Sequence, residues 1–195
     1  MPTDKIPCIR CGVLILPRTA AKNDGLCMPC AAGTRESMEA SREWYRKRRE
    51  NEGKDPVRAL WSSLLRRVHK EDGYATLTLP ERHYFAVCLL DGEVNNGGFS
   101  QYFYNSSSDH YLDTVAGLEE LGATKSLELL LRAKQIVFGF REVPTQTARR
   151  RQTTISDSQL GRLEPLNRQF WADPDGLVEK VETFLRKHGL IPAMR

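Results

Sequence analysis

The chain has 195 residues, 40% hydrophobic and 28% charged, with a net charge of +4. Apolar residues recur throughout, which excludes a chain disordered from end to end, and no run approaches the ~18 consecutive apolar residues of a membrane span. Met1 to Lys5 lack the apolar stretch of a signal peptide, so a cytoplasmic protein is expected.

The first chemistry met along the chain is four cysteines. Cys8-x-x-Cys11 and Cys27-x-x-Cys30 are separated by 15 residues, the spacing of a zinc ribbon. A two-residue gap lets both sulfurs of a pair reach one ion, and zinc favours four tetrahedral thiolates. Such a set leaves no open position for water, so the expected zinc is structural rather than catalytic. The alternative, two disulfides, goes against the absence of a secretion signal. Val13 to Leu16 reads as a short strand, Asn23-Asp24-Gly25 as a hairpin turn, and Cys27 and Cys30 as the opening of a helix whose dipole would stabilise thiolates. Residues 1–32 are thus expected to form a small zinc-ribbon or treble-clef-like module. Cys88, within Tyr84 to Leu90, reads as a buried small apolar residue.

Residues 33–54 have few apolar positions (Met38, Trp44, Tyr45) and read as a charged helical linker. Gly53 ends it, and Asp55-Pro56 opens a helix striped by Val57, Leu60, Trp61, Leu64, Leu65 and Val68. Thr78-Leu79-Pro80-Glu81 starts the next, running to about Asn95, and Phe99 to Tyr104 is a short aromatic helix. Tyr111, Val115, Leu118 and Leu121 mark another, closed by Gly122. Leu127, Leu130, Leu131, Ile136, Val137 and Phe138 mark one closed by Gly139. Residues 141–158 read as a long polar loop. Leu160 to Trp171 is helical, with Pro165 as its start or a kink. Asp173-Pro174 caps a last helix that turns Leu177, Val178, Val181, Phe184 and Leu185 inward. Residues 55–195 are therefore expected to be an all-α domain, a bundle of about six to eight helices.

Charge is unevenly spread. Residues 1–54 carry +4, residues 55–70 +3, residues 71–128 −8 and residues 129–195 +5. A block of −8 can set a local potential in a chain that is nearly neutral overall, although charged faces are also ordinary on solvated helices.

Between the helices lies Glu93-Val94-Asn95-Asn96-Gly97-Gly98-Phe99-Ser100-Gln101-Tyr102-Phe103-Tyr104-Asn105. Two amides and two glycines can break one helix and begin another at an angle, with Phe99, Tyr102 and Phe103 packing inward. This interhelical joint is the first reading; the other is a loop that presents Asn95, Asn96 and Gln101 to a ligand.

This run resembles the signature of the DNA-mimic-protein-like domain family. The resemblance continues through Leu118 to Ala123 and, more loosely, through Ala133-Lys134, Phe138 and Leu166 to Trp171. It covers about residues 55–190 and leaves the cysteine module outside. Glu93, Asn95, Asn96, Gly97, Gly98, Phe99, Gln101, Tyr102 and Asn105 carry it. It implies an all-helical fold, and a relative that binds a dimeric transcription regulator by imitating the charge of DNA. Such mimicry requires carboxylates placed like phosphates. The candidates are Asp91, Glu93, Asp109, Asp113, Glu119, Glu120 and Glu128, all within the −8 block. The basic flanks confine any such mimicry to a local face.

The expected partner is accordingly another protein, a DNA-binding regulator. The alternative is direct nucleic-acid binding, with phosphates met by Arg46, Lys47, Arg48 and Arg49 and by Arg149, Arg150 and Arg151. An enzyme is disfavoured: His69, His83, His110 and His188 fall in no metal-ligand or catalytic motif, and Asp109-His110 adjacency does not create catalytic geometry.

Overall fold

The computed structural model describes residues 5–52, 55–70, 72–146, 151 and 154–193, with the backbone alone for residues 48–52. The chain divides into two compact units, Met1–Asp55 and Pro56–Arg195. Gly53 and Lys54, where the sequence suggests a boundary, lie outside the described residues.

In the first unit β1 (Ile6–Pro7) pairs antiparallel with β2 (Leu14–Ile15), Ile6 opposite Ile15. The turn between them carries Cys8 and Cys11. Helix α1 (Pro17–Lys22) follows, opened by a proline that needs no hydrogen-bond partner for its nitrogen. Asn23-Asp24-Gly25 is therefore not a hairpin turn, as its composition suggests, but the end of this helix. Asn23 donates to the Thr19 carbonyl at 3.0 Å, and Asp24 and Gly25 take positive φ. Cys27 precedes α2 (Met28–Ala31), and α3 (Arg35–Glu52) is a long helix with an exposed surface.

The second unit holds six α-helices among its described residues: α4 (Pro56–Val68), α5 (Leu79–Tyr104), α6 (Tyr111–Glu120), α7 (Thr124–Phe138), α8 (Asp157–Trp171) and α9 (Leu177–Lys187). Short 3-10 turns at Gly73–Thr76 and Ser106–His110 flank α5. Helix α5 is central. Glu81 closes its first turn by accepting from the Thr78 amide at 2.8 Å and the Thr78 hydroxyl at 3.0 Å. Tyr84, Phe85, Val87, Leu90, Val94, Phe99, Tyr102 and Phe103 are buried along it. Trp61 of α4 stacks on Phe85 at 5.1 Å between ring centroids. Helix α6 approaches closely at Gly117, where an added Cβ would lie 2.8 Å from the Val87 side chain. No described helix is long and apolar enough to cross a membrane.

Two expectations about α8 and α9 are corrected. Helix α8 begins at Asp157, three residues before Leu160, because Ser156 and Gln159 form a reciprocal cap there; Pro165 sits inside the helix. Val178 of α9 is 75% exposed, so the buried face of that helix is Leu177, Phe184 and Leu185. Leu131 of α7 likewise faces outward, at 45%.

Candidate functional sites

The four N-terminal cysteines converge. Their Sγ atoms all lie within 4.8 Å of one another, and Cys8, Cys27 and Cys30 are buried. Cys11 Sγ and Cys27 Sγ are 3.7 Å apart. An ion bound at about 2.3 Å by four tetrahedral thiolates sets its sulfurs about 3.8 Å apart, so the cluster has the dimensions of a metal centre. Burial works against ionising Cys8, but the amide of Cys27, which donates to its sulfur at 3.2 Å, helps hold its pKa at about 6. Burial, followed by the neighbouring thiols, pushes Cys30 up to about 12. A cation at the centre of four such sulfurs would favour their thiolate form. Arg35 adds positive charge beside it: burial opposes that charge, but Cys11, Glu39 and Cys27 hold its pKa above the ordinary value.

The second site is a break in α5. Gly97 (φ −153°, ψ 21°) and Gly98 (φ 75°, ψ −179°) leave helical geometry, and the helix resumes through Phe99. Gly98 occupies a region of backbone space essentially closed to side-chain-bearing residues. Two groups of α8 repair the interrupted hydrogen bonding. Asn167 Oδ1 accepts from the buried Phe99 amide at 2.9 Å. Trp171 Nε1 donates to the Val94 carbonyl at 2.8 Å, the carbonyl that Gly98 would serve in an unbroken helix. Phe170 meets Phe99 edge to face at 5.6 Å. The polar side of the break is tied by Glu93, whose carboxylate accepts from Gln101 Nε2 at 2.7 Å, Asn105 Nδ2 at 2.8 Å and Ser107 Oγ at 2.7 Å. Tyr102 is fully buried, its hydroxyl 3.0 Å from that of Thr114.

Asn95 and Asn96, by contrast, are exposed, and Asn95 donates to Asp91 one turn earlier, at 2.9 Å. The amide that holds the joint is therefore Asn167, 68 residues beyond Phe99 in sequence. Sequence reasoning placed Asn167 in a loosely matching flank; its contact with the glycine break could not be read locally.

The seven candidate acids do not share one condition. Glu93 is spent inside the fold, which removes it from any binding face. Asp113 accepts from the Tyr74 hydroxyl at 2.6 Å. Asp91 is half-buried, and burial, with Asp173 nearby, raises its pKa. Glu120 lies between two imidazoles, 2.8 Å from His83 Nδ1 and 2.9 Å from His188 Nε2. Its pKa is lowered, first by the His83 contact. Glu119 and Glu128 are exposed, Glu128 at 3.5 Å from Arg132, and Asp109 is half-buried. Of the basic candidates, Arg46 binds Glu43 at 2.6 Å and Lys47 lies 3.6 Å from the same carboxylate. Arg151 lies 5.7 Å from the centre of the Tyr104 ring. The side chains of Arg48 and Arg49, and all of Arg149 and Arg150, fall outside the described residues.

Comparison with known protein families places these features. A model of the DMP19-like proteins matches residues 75–188, from the turn before α5 through the end of α9. The match spans more than half of the chain, and the protein belongs to this family. It contains both α5 and α8, hence both sides of the glycine break, and excludes the cysteine module. Comparisons with curated proteins and with solved structures gave no match.

Proposed function

We propose that this is a non-catalytic binding protein whose helical unit engages a basic, DNA-contacting protein surface, with carboxylates standing where that surface meets phosphates. The observation that carries this reading is the concentration of charge, −8 over residues 71–128 in a chain of net +4. Those residues form α5, α6 and the start of α7, the centre of the family domain. The carboxylates suited to recognition are Glu119 and Glu128, which the fold leaves exposed, together with Asp109 and Asp113 at the other end of α6. Charge complementarity of this kind governs association rate and salt dependence more than burial does. The four-cysteine cluster is proposed to hold one structural zinc ion, the metal that an all-thiolate tetrahedral set favours.

The test is competition. The immobilised full chain should capture a DNA-binding protein at low salt and release it to added duplex DNA. Glu119→Gln with Glu128→Gln should weaken capture and flatten its salt dependence without changing thermal stability. A partner indifferent to DNA, or tight salt-sensitive binding of nucleic acid by the chain itself, would refute the reading.

A further inference from the structure

A cleft of about 760 Å³ opens on the helical unit between the first turn of α6, the C-terminal half of α7 and the loop that follows. Its size lies within the range of ligand sites, and no residue of the glycine break lines it. One part of its lining is aromatic: the His110 imidazole stacks on the Tyr74 ring, centroids 3.8 Å apart and planes 21° from parallel. The Tyr74 hydroxyl donates to Asp113, and burial, then that carboxylate, pushes the phenol's pKa up. The phenol therefore remains a donor to that carboxylate. Another part is aliphatic and open to water: Leu112 is 79% exposed and Leu131 45%. Among the described lining residues, Asp113 and Glu142 bring two carboxylates against one ammonium, Lys134, which is engaged with the Gly139 carbonyl at 3.0 Å. Arg82 stands within electrostatic reach of Tyr74 but does not line the cleft.

We propose that this cleft receives an arginine side chain of the protein partner. The inference rests on the reading above, that the partner is a basic protein. An anionic occupant would meet those two carboxylates. A purely apolar one would desolvate those carboxylates without pairing them, which costs more than its own burial returns. An arginine satisfies each part of the lining: its methylenes cover Leu112 and Leu131, and its planar guanidinium stacks on an aromatic face while pairing with carboxylates. Lysine carries the charge but neither the plane nor the fork.

The experiment is an amide-resolved NMR titration of the full chain with arginine blocked at both ends as acetyl and methylamide. The expected result is saturable shifts at Leu112, Asp113, Leu131 and Val143, with affinity on the order of 1 mM for so small a probe. Blocked lysine should bind more weakly and blocked leucine should not saturate. Leu131→Lys, which alters an exposed side chain, and Asp113→Asn, which keeps an acceptor for Tyr74, should each weaken binding at least tenfold. Absence of saturation, or equal response to blocked leucine, overturns the proposal. Tighter binding of agmatine than of blocked arginine assigns the cleft to a free amine and overturns the protein source. The two readings fail separately. DNA-competed capture that survives Leu131→Lys, with no arginine response, sinks the cleft alone. An arginine response without DNA-competed capture leaves the cleft standing and sinks the mimicry.

Discussion

Replacing Asn167 by alanine tests the central claim about the family domain, that the break in α5 is held from α8. The substitution removes the acceptor of the buried Phe99 amide. A buried donor left without a partner costs about 1–3 kcal/mol, so a loss of about 2 kcal/mol is expected. Gly98→Ala attacks the same joint from the other side. A non-glycine residue at that φ and ψ costs about 1–3 kcal/mol, and its Cβ would also lie 2.6 Å from Asn167 Nδ2. The second cost exists only while Asn167 is present. The double variant should therefore be more stable than the sum of the single losses predicts, by about 1 kcal/mol. Urea unfolding followed by helical circular dichroism measures all three. With a slope of about 2 kcal/mol per molar, Asn167→Ala should lower the midpoint by about 1 M. Asn95→Ala and Asn96→Ala, at exposed positions, should stay within about 0.5 kcal/mol of the parent. An Asn167→Ala midpoint equal to the parent's, or strict additivity with Gly98→Ala, would refute the joint as described.

Three further outcomes follow from the same geometry. Metal analysis should find about one zinc per chain; a chelator, or Cys8→Ser, should disorder residues 5–32 while the helical unit's unfolding transition persists, and zinc-free protein with paired cysteines would contradict this. Glu93→Ala strands three donors at a half-buried position and should cost about 2 kcal/mol in urea unfolding. Glu120, held between His83 and His188, has a pKa below its ordinary 4.5, so its contribution is present above that pH and is lost as pH falls through the lowered folded value. Glu81 and Asp175, whose pKa values are also lowered, act in the same sense. Unfolding midpoints measured across acid pH should therefore decline below about pH 4.5, and Glu120→Gln should make that decline shallower; an unchanged slope would count against the pairing.

What could be read from the sequence was what is local. The cysteine cluster, which could hold a metal ion, needs two short pairs, and their spacing is visible in the sequence. Helices α4 to α7 and α9 announce themselves by periodic apolar residues and by stops such as Gly122 and Gly139, because a helix solves most of its hydrogen bonding within itself. The cap at Ser156 was equally local, but the polar run over residues 141–158 reads as one loop and puts the start of α8 at Leu160, three residues late. The rest depends on partners far apart in the chain. Asn167 and Trp171 reach α5 across 68 and 77 residues, and Asp175 reaches the amide of Ser126, at the start of α7, across 49 at 2.6 Å. Composition near Gly97-Gly98 shows that the backbone bends; it does not show which distant side chain pays the hydrogen bonds.

The acidic block shows the same division and bears directly on function. Counted in sequence, residues 71–128 offer a uniform −8, but the fold sorts those charges. Glu93 is consumed at the glycine break, Glu81 by Arg67 at 2.5 Å and by the cap of α5, and Glu120 in part by two histidines. A carboxylate committed to internal donors presents less charge outward and cannot move to meet a partner without undoing the fold. On the proposed reading, recognition draws on carboxylates towards the two ends of α6: Glu119 with Glu128 beyond its C-terminus, both exposed, and Asp109 with Asp113 at its start, both half-buried, Asp113 in contact with the Tyr74 hydroxyl. Ten residues at 1.5 Å per residue separate those ends by about 15 Å. A basic surface that meets both must offer two separate groups of cations rather than one dense cluster. Single neutralisations at either end should therefore weaken binding by similar factors, and their combination should approach the product.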